Sequence, residues 1–156
     1  YTSYTPAKEE YDVKKVLFVC SGNTCRSPMA QAVFNKLAKE RNIDAAAFSA
    51  GLYTQDALPY SPNTLEVLRE NDIALTGSSK QITKEMLDQC DIVFGLTYSL
   101  STALVSAFPQ SSEKIYRFPL EVPDPFGGDI ALYRRSYQKI TEGIEKILRA
   151  IESKDL

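Results

Sequence analysis

Residues 16–28 read VLFVCSGNTCRSP: an apolar run leads directly into a cysteine, and a loop of small residues follows. The run, which begins at Lys15, predicts a central parallel strand, because strands that are buried on both faces are continuously apolar. Gly22 and Asn23 tolerate the left-handed backbone that a tight turn requires. The stretch therefore predicts a strand, a tight loop and then a helix.

The loop from Cys20 to Arg26 has the dimensions of an anion cradle. Its contour of ~27 Å closes into a ring of ~4 Å radius, which lets inward-pointing amides reach one tetrahedral anion. We expect Ser27 to cap the next helix and Pro28 to lie in its first turn, so that the helix N-terminus also faces the anion. Arg26 offers a planar fork that matches two oxygens of a phosphate. The predicted phosphate-binding residues are Ser21, Gly22, Asn23, Thr24, Cys25 and Arg26.

The chemistry follows from the position of Cys20. Helix N-termini and nearby arginines favour the thiolate form of a cysteine, and the thiolate is the nucleophile. We therefore expect Cys20 to attack phosphorus and to form a phosphocysteine intermediate.

Composition limits the class of protein. The chain has 156 residues, of which 44% are hydrophobic and 24% charged, as in a soluble globular protein. We expect a polar, mobile tail over residues 1–13 and a single domain over residues 14–156. The net charge of −2 argues against binding to nucleic acid or to a membrane surface, and no apolar stretch is long enough to span a bilayer.

Cysteine and histidine usage narrows the chemistry further. Three cysteines do not suggest a secreted disulfide framework, so the expected location is the reducing cytoplasm. The chain has no histidine, which excludes Ser-His-Asp and Cys-His catalysis and every zinc site that contains histidine.

Strand and helix patterns alternate along the rest of the chain. Further strands are predicted at 45–50, 91–96 and 114–118, and helices at 28–41, 61–71, 83–89, 99–107 and 130–153. This order predicts an α/β fold, a single-domain four-stranded parallel sheet with helices on both faces and the phosphate loop after the first strand. Ligands of such sheets bind at the carboxyl ends of the strands, where Cys20 falls.

Hydrolysis of a phosphate ester also needs a proton donor for the leaving group, which neither Cys20 nor Arg26 can supply. Asp124 is the candidate, as acid in the first step and base for water in the second, because flanking prolines restrict its loop. Without the cysteine loop, such an aspartate would be interpreted as a turn former. Asp129 is the alternative acid, although we expect it to cap the last helix. The amides and Arg26 stabilise the transferred group, so no metal and no cofactor are expected.

Residues 19–30, VCSGNTCRSPMA, resemble the active-site loop of the low-molecular-weight protein tyrosine phosphatases. The resemblance runs from about Lys15 to the C-terminal helix, and it includes SAG at 49–51 and DPFGG at 124–128. It implies that Ser27 donates a hydrogen bond to the Cys20 thiolate and that Ser27 and Ser49 steady Asn23.

The resemblance also implies a redox partner for Cys20, and the sequence departs from the family's pattern at one position. It implies that Cys25 can form a reversible disulfide with Cys20. The histidine that the family carries after its second helix is replaced by Gly77, and nothing in the sequence indicates what takes over its role.

The expected substrate is a phosphorylated protein, handled by a monomer or weak dimer. Tyr53 and Phe126 are predicted pocket walls for a planar ring or a guanidinium group. Phosphotyrosine is the main prediction. Phosphoarginine remains the alternative, because DPFGG also resembles the bacterial protein-arginine phosphatases. Ser21 matches neither the threonine that is typical of those enzymes nor the bulkier aliphatic residue of tyrosine phosphatases.

Three rival classes make different demands on the sequence. An arsenate reductase of this fold needs a later cysteine pair, whereas only Cys90, an expected core residue, follows the loop. A phosphocarrier would not need Asp124. A pseudophosphatase that only binds would lack one of Cys20, Arg26 and Asp124. The sequence thus favours a catalytic phosphatase.

Overall fold

Parallel strands and helices alternate along residues 13–156, which are the residues that the computed structural model describes. The predicted tail at 1–13 lies outside this part except for Val13, and its mobility stays a prediction. The elements are β1 (Lys14–Cys20), α1 (Arg26–Glu40), β2 (Ala45–Gly51), α2 (Pro62–Glu70), α3 (Lys84–Gln89), β3 (Ile92–Gly95), α4 (Tyr98–Ala107), a 3-10 helix (Pro109–Lys114), β4 (Ile115–Arg117) and α5 (Ile130–Glu152).

The sheet has the strand order β2-β1-β3-β4, and every pair of neighbours is parallel. The crossovers from β1 to β2 and from β3 to β4 run in opposite directions across the sheet. Right-handed connections therefore place α1 and α4 on opposite faces. The predicted four-stranded parallel sheet with helices on both faces is confirmed. The chain reverses its direction of winding between β1 and β3, which is the point where sheets of this kind bind ligands.

β1 is buried from Val16 to its end because it is an inner strand covered on both faces. Its residues from Val16 to Cys20 are at most 2% exposed. The Phe18 ring packs edge-on against Phe34 with the ring centres 5.9 Å apart, and against Phe118 at 6.0 Å. A continuous apolar run is what such a position requires. This packing holds the backbone of β1 in place, and with it Cys20 at the end of the strand.

α5 begins where the loop after β4 ends. Asp129 caps it, because a side-chain oxygen of Asp129 accepts a hydrogen bond from the backbone N–H of Leu132 at 3.1 Å. This confirms the capping role expected for Asp129. Close approach of the helix to the sheet depends on Gly143, since a Cβ atom there would lie 2.2 Å from Cε2 of Phe118.

The predicted start of α1 with a Ser27 cap is wrong, and the predicted left-handed turn forms at one of its two candidate residues. α1 begins at Arg26 rather than at Pro28, with Cys25 as the N-cap residue, and no side chain caps it. Ser27 is therefore inside the first turn, and its hydroxyl bonds elsewhere. The left-handed residue of the loop is Asn23, with φ of 54°, whereas Gly22 does not have a positive φ.

No helix within residues 13–156 combines the length and the apolar character needed to cross a bilayer.

Candidate active site

Cys20 lies at the bottom of a cleft at the carboxyl end of β1. The residue is only 2% exposed, yet it lines a cleft of about 530 Å³ together with Arg26 and Asp124. Its sulfur accepts a hydrogen bond from the backbone N–H of Asn23 at 3.2 Å and lies 2.9 Å from Oγ of Ser27. The structure thus brings the predicted nucleophile, arginine and acid to one cleft.

A directed series of hydrogen bonds ends on the Cys20 sulfur. The backbone N–H of Lys80 donates to Oδ1 of Asn23 at 2.8 Å, and Nδ2 of Asn23 donates to Oγ of Ser27 at 2.8 Å. Because Ser27 accepts from Asn23, its own hydrogen is free to donate, and both the Cys20 sulfur at 2.9 Å and the carbonyl oxygen of Ala50 at 3.3 Å lie within its reach. A backbone N–H can only donate, so Lys80 sets the direction of the series as far as Ser27.

Lys80 also takes over the role of the histidine that Gly77 replaces. The sequence showed no group that could hold Asn23 in place of the family's histidine. The backbone amide of Lys80 does so, and Asn23 is fully buried as a result. Sequence reasoning missed it because a main-chain N–H carries no signal in the residue type.

The prediction that Ser49 steadies Asn23 is wrong. The Ser49 hydroxyl donates to Oε1 of Gln31, on α1, at 2.6 Å, while Lys80 and Ser27 occupy the side-chain amide of Asn23. Ser49 lies two positions before Gly51 in β2, which at ~3.3 Å per residue sets its hydroxyl back from the loop.

Gly51 is the residue of this stretch that contacts the loop. A Cβ atom at Gly51 would lie 2.8 Å from the carbonyl oxygen of Ser21 and 3.0 Å from the backbone nitrogen of Asn23. The chain beyond Gly51 then holds the loop through its main chain, since the N–H of Tyr53 donates to the same Ser21 oxygen at 2.9 Å. Only glycine permits this approach.

Arg26 is buried, and its guanidinium is oriented by the loop that follows β4. Its Nη1 donates to the carbonyl oxygen of Val122 at 3.0 Å, and its Nη2 lies 3.7 Å from Oδ2 of Asp124. Its Nε is buried without a hydrogen-bond partner in the described chain. A guanidinium held in this way can present N–H groups to two oxygens of an anion.

Asp124 is placed where an acid would be needed. It is half exposed, lines the cleft, and accepts a hydrogen bond at Oδ1 from the backbone N–H of Phe126 at 3.1 Å. Its other oxygen is the one that faces Arg26. Asp129, the alternative acid, does not line this cleft.

Two aromatic rings stand at the mouth of the cleft. Tyr53 and Phe126 both line it and are 72% and 74% exposed. Three further lining residues, which were not predicted, follow Tyr53 in the chain: Thr54, Gln55 and Leu58. They belong to a loop without a motif, so the sequence offered no signal for them.

Cys25 has a partner that the sequence did not reveal. Its sulfur lies 3.5 Å from the Tyr133 hydroxyl, which also accepts a hydrogen bond from Ser61 at 3.0 Å. Burial, together with the hydrogen bond to Cys25, raises the pKa of Tyr133.

All three cysteines are free of disulfide bonds. Cys90 lies in the core as expected, and burial raises the pKa of its thiol.

Fold and site together define a class: a doubly wound α/β protein with a cysteine-centred anion loop at its topological switch point. Residues 15–155 match the family described as low molecular weight phosphotyrosine protein phosphatase. The chain belongs to this family, and it is a cysteine-dependent phosphoprotein phosphatase.

Three proteins illustrate what the chain is similar to. A protein-arginine-phosphatase of Bacillus subtilis is 30% identical over 88% of this chain and 96% of its own length. The low molecular weight protein-tyrosine-phosphatase PtpB of Staphylococcus haemolyticus is 32% identical over 85% of this chain and 96% of its own. The crystal structure of a low molecular weight protein tyrosine phosphatase from T. tengcongensis has a TM-score of 0.83 and 34% identity, covering 87% of this chain and 98% of that one. These relatives do not indicate an arsenate reductase.

Proposed function

We propose that this phosphatase hydrolyses phosphotyrosine in proteins, with Cys20 as nucleophile, Arg26 as phosphate ligand and Asp124 as general acid and base. One observation carries the proposal: the hydrogen-bond series from Lys80 ends on the Cys20 sulfur in the same cleft that Arg26 and Asp124 line. Hydrogen bonds from Ser27 and from the Asn23 amide favour the negatively charged sulfur.

The reaction has two displacements at phosphorus. In the first, the Cys20 thiolate attacks in line and the bond from phosphorus to the tyrosine oxygen breaks, while Asp124 gives that oxygen its proton. In the second, Asp124 takes a proton from water, the water oxygen bonds to phosphorus, and the thiolate leaves. The amides of residues 21–26 and the Arg26 guanidinium stabilise the equatorial oxygens in both steps. Ser27 makes the sulfur a better leaving group in the second.

The mouth of the cleft supports a tyrosine substrate. Tyr53, Phe126 and Leu58 surround the space beyond the sulfur, and aromatic and aliphatic side chains favour a flat apolar ring there. Within residues 13–156, Asp124 is the only carboxylate that lines the cleft. A guanidinium substrate would gain from further acceptors, because each of its N–H groups needs a partner.

Phosphoarginine is the second candidate, and three observations favour it. One of the relatives is named a protein-arginine-phosphatase, and guanidinium groups also stack on aromatic rings such as those of Tyr53 and Phe126. The Ser21 hydroxyl stands at the position where the arginine-specific enzymes of this family carry threonine, and it lines the cleft.

A comparison of kcat/KM on matched phosphotyrosine and phosphoarginine peptides tests the proposal. We expect wild type to favour phosphotyrosine, Cys20→Ser to abolish turnover, and Asp124→Asn to reduce kcat by about 10²–10⁴-fold, as removal of a general acid does. Ser21→Thr should shift the ratio toward phosphoarginine. A wild-type preference for phosphoarginine would replace the first candidate with the second, and turnover by Cys20→Ser would refute both.

We also propose that Cys25 protects the nucleophile. A peroxide oxidises the Cys20 thiolate to a sulfenic acid, and the Cys25 thiol then displaces water to form a disulfide. Mass spectrometry after peroxide treatment should find this disulfide in wild type and over-oxidised Cys20 in Cys25→Ser.

A monomer or weak dimer is the proposed oligomeric state, which sedimentation can measure.

A further inference from the structure

A second, smaller cavity lies directly beside the proposed active site. Its volume is about 170 Å³, and Pro123–Pro125 form one wall while the first part of α5 forms the other. Asp124 lines this cavity as well as the cleft of Cys20. A substrate segment leaving the cleft on this side would therefore pass over the cavity.

Two cations line the cavity without partners. Arg135 and Lys139 are exposed and lie four residues, or about one turn, apart on α5. Neither makes a hydrogen bond or ion pair with another residue in the part of the chain that the structure describes. The adjacent Arg134, by contrast, is paired with Glu70 at 3.1 Å. The positive charges of Arg135 and Lys139 are thus not neutralised by an ion pair with any described residue.

A buried hydroxyl adds a third polar group. Ser136 lines the cavity and is only 5% exposed, and no described residue accepts or donates a hydrogen bond at its side chain. Among the described residues of the wall, Asp124 is the one carboxylate, and its Oδ2 faces Arg26 on the other side of the loop. Two cations and a hydroxyl donor without partners form a site for an anionic group.

Building on the proposed phosphotyrosine phosphatase function, we propose that this cavity binds a carboxylate side chain of the substrate protein. The acidic residue lies within about three positions of the phosphotyrosine, since an extended chain spans ~3.3 Å per residue. The cavity thereby selects phosphotyrosine in acidic sequence contexts. Arg135 and Lys139 are the specificity-determining residues, and Ser136 contributes a hydrogen bond.

The test compares phosphotyrosine peptides that differ only by Glu or Gln at each of the three positions on either side of the phosphotyrosine. For each enzyme variant the readout is the ratio of kcat/KM for the Glu and Gln peptides, so any general damage to the enzyme cancels. We expect a wild-type ratio of about 3 to 10 at the best position, the size of one or two exposed charge contacts. The ratio should fall to near unity in the double variant Arg135→Gln, Lys139→Gln, and also in wild type at high salt.

The matched control is the double variant Lys146→Gln, Arg149→Gln. It removes the same charge from exposed positions of α5 that lie about 16 Å further along the helix. The control should keep the wild-type ratio. A wild-type ratio of one at every position, or an equal loss in both double variants, would overturn the inference. Failure of wild type to hydrolyse any phosphotyrosine peptide would instead refute the proposed function.

Discussion

At the scale of single residues, the reactivity of Cys20 depends on the direction of its hydrogen bonds. Lys80 can only donate to Asn23, which orients the Asn23 amide, and Asn23 then donates to Ser27. The serine hydrogen can then reach the sulfur at 2.9 Å or the more distant carbonyl oxygen of Ala50 at 3.3 Å. A hydrogen bond from Ser27 stabilises a negative charge on the sulfur, while the Ala50 oxygen competes for the same hydrogen.

The variant Ser27→Ala measures the last bond of the series. We expect kcat on para-nitrophenyl phosphate to fall by about 10- to 100-fold, because a hydrogen bond to a charged group contributes about 1.5–3 kcal/mol. The rate at which iodoacetamide alkylates Cys20 should fall as well, since alkylation depends directly on the reactivity of the sulfur that Ser27 contacts.

Ser49→Ala is the matched control, because the Ser49 hydroxyl bonds to Gln31 rather than to the loop. It should leave both the turnover and the alkylation rate near those of wild type, with some loss of stability from the buried hydrogen bond. A fall in kcat as large as that of Ser27→Ala would mean that Ser49 supports the loop after all.

At the scale of elements, the loop between β4 and α5 is fixed near both ends. Phe118 is fully buried just after β4, and Asp129 caps α5. Between them, the carbonyl oxygen of Val122 holds the Arg26 guanidinium. The loop thus carries Asp124 to the cleft and orients the Arg26 guanidinium at the same time.

Asp129 tests whether this loop depends on its cap. Asp129→Ala should lower the free energy of unfolding by about 0.5–2 kcal/mol, as loss of an N-cap does, whereas Asp129→Asn should preserve it because asparagine caps equally well. Urea denaturation of the two variants provides the measurement. Asp129→Asn should also retain full turnover, and its inactivation would instead identify Asp129 as the general acid.

At the scale of the whole molecule, folding buries groups that ionise only at alkaline pH. Burial raises the pKa of Tyr60, Tyr133 and Cys90 above ordinary values of 10.0 for tyrosine and 9.0 for the thiol. These groups lose their protons more readily in the unfolded chain. The stability they contribute is therefore fully present below pH 9 and is lost as pH rises through the raised values.

We therefore expect the free energy of unfolding to decline above about pH 9. In Tyr60→Phe the decline should be shallower, because one of the three groups no longer titrates. Denaturant titrations of both proteins between pH 7 and 11 measure this. An identical alkaline slope in wild type and Tyr60→Phe would show that Tyr60 does not contribute.

The sequence by itself determined the order of strands and helices and the loop from Cys20 to Arg26, and it singled out Asp124 as the candidate acid. These features are local. An apolar run predicts a buried strand, and an anion loop is indicated by a cysteine, an arginine and turn residues at short spacing. The strand and helix boundaries differ from prediction by a few residues because capping depends on geometry, as the N-cap at Cys25 shows.

Only the tertiary structure decided which groups support the loop. Lys80 supplies a main-chain N–H to Asn23 across 57 residues, Tyr133 reaches Cys25 across 108, and Ser49 contacts Gln31 instead of Asn23. Main-chain donors are present at every residue except proline, so residue types cannot reveal which of them is used. The position of Arg135 and Lys139 beside the Asp124 loop likewise arises from packing, since α5 must dock on the sheet before its exposed charges lie next to that loop.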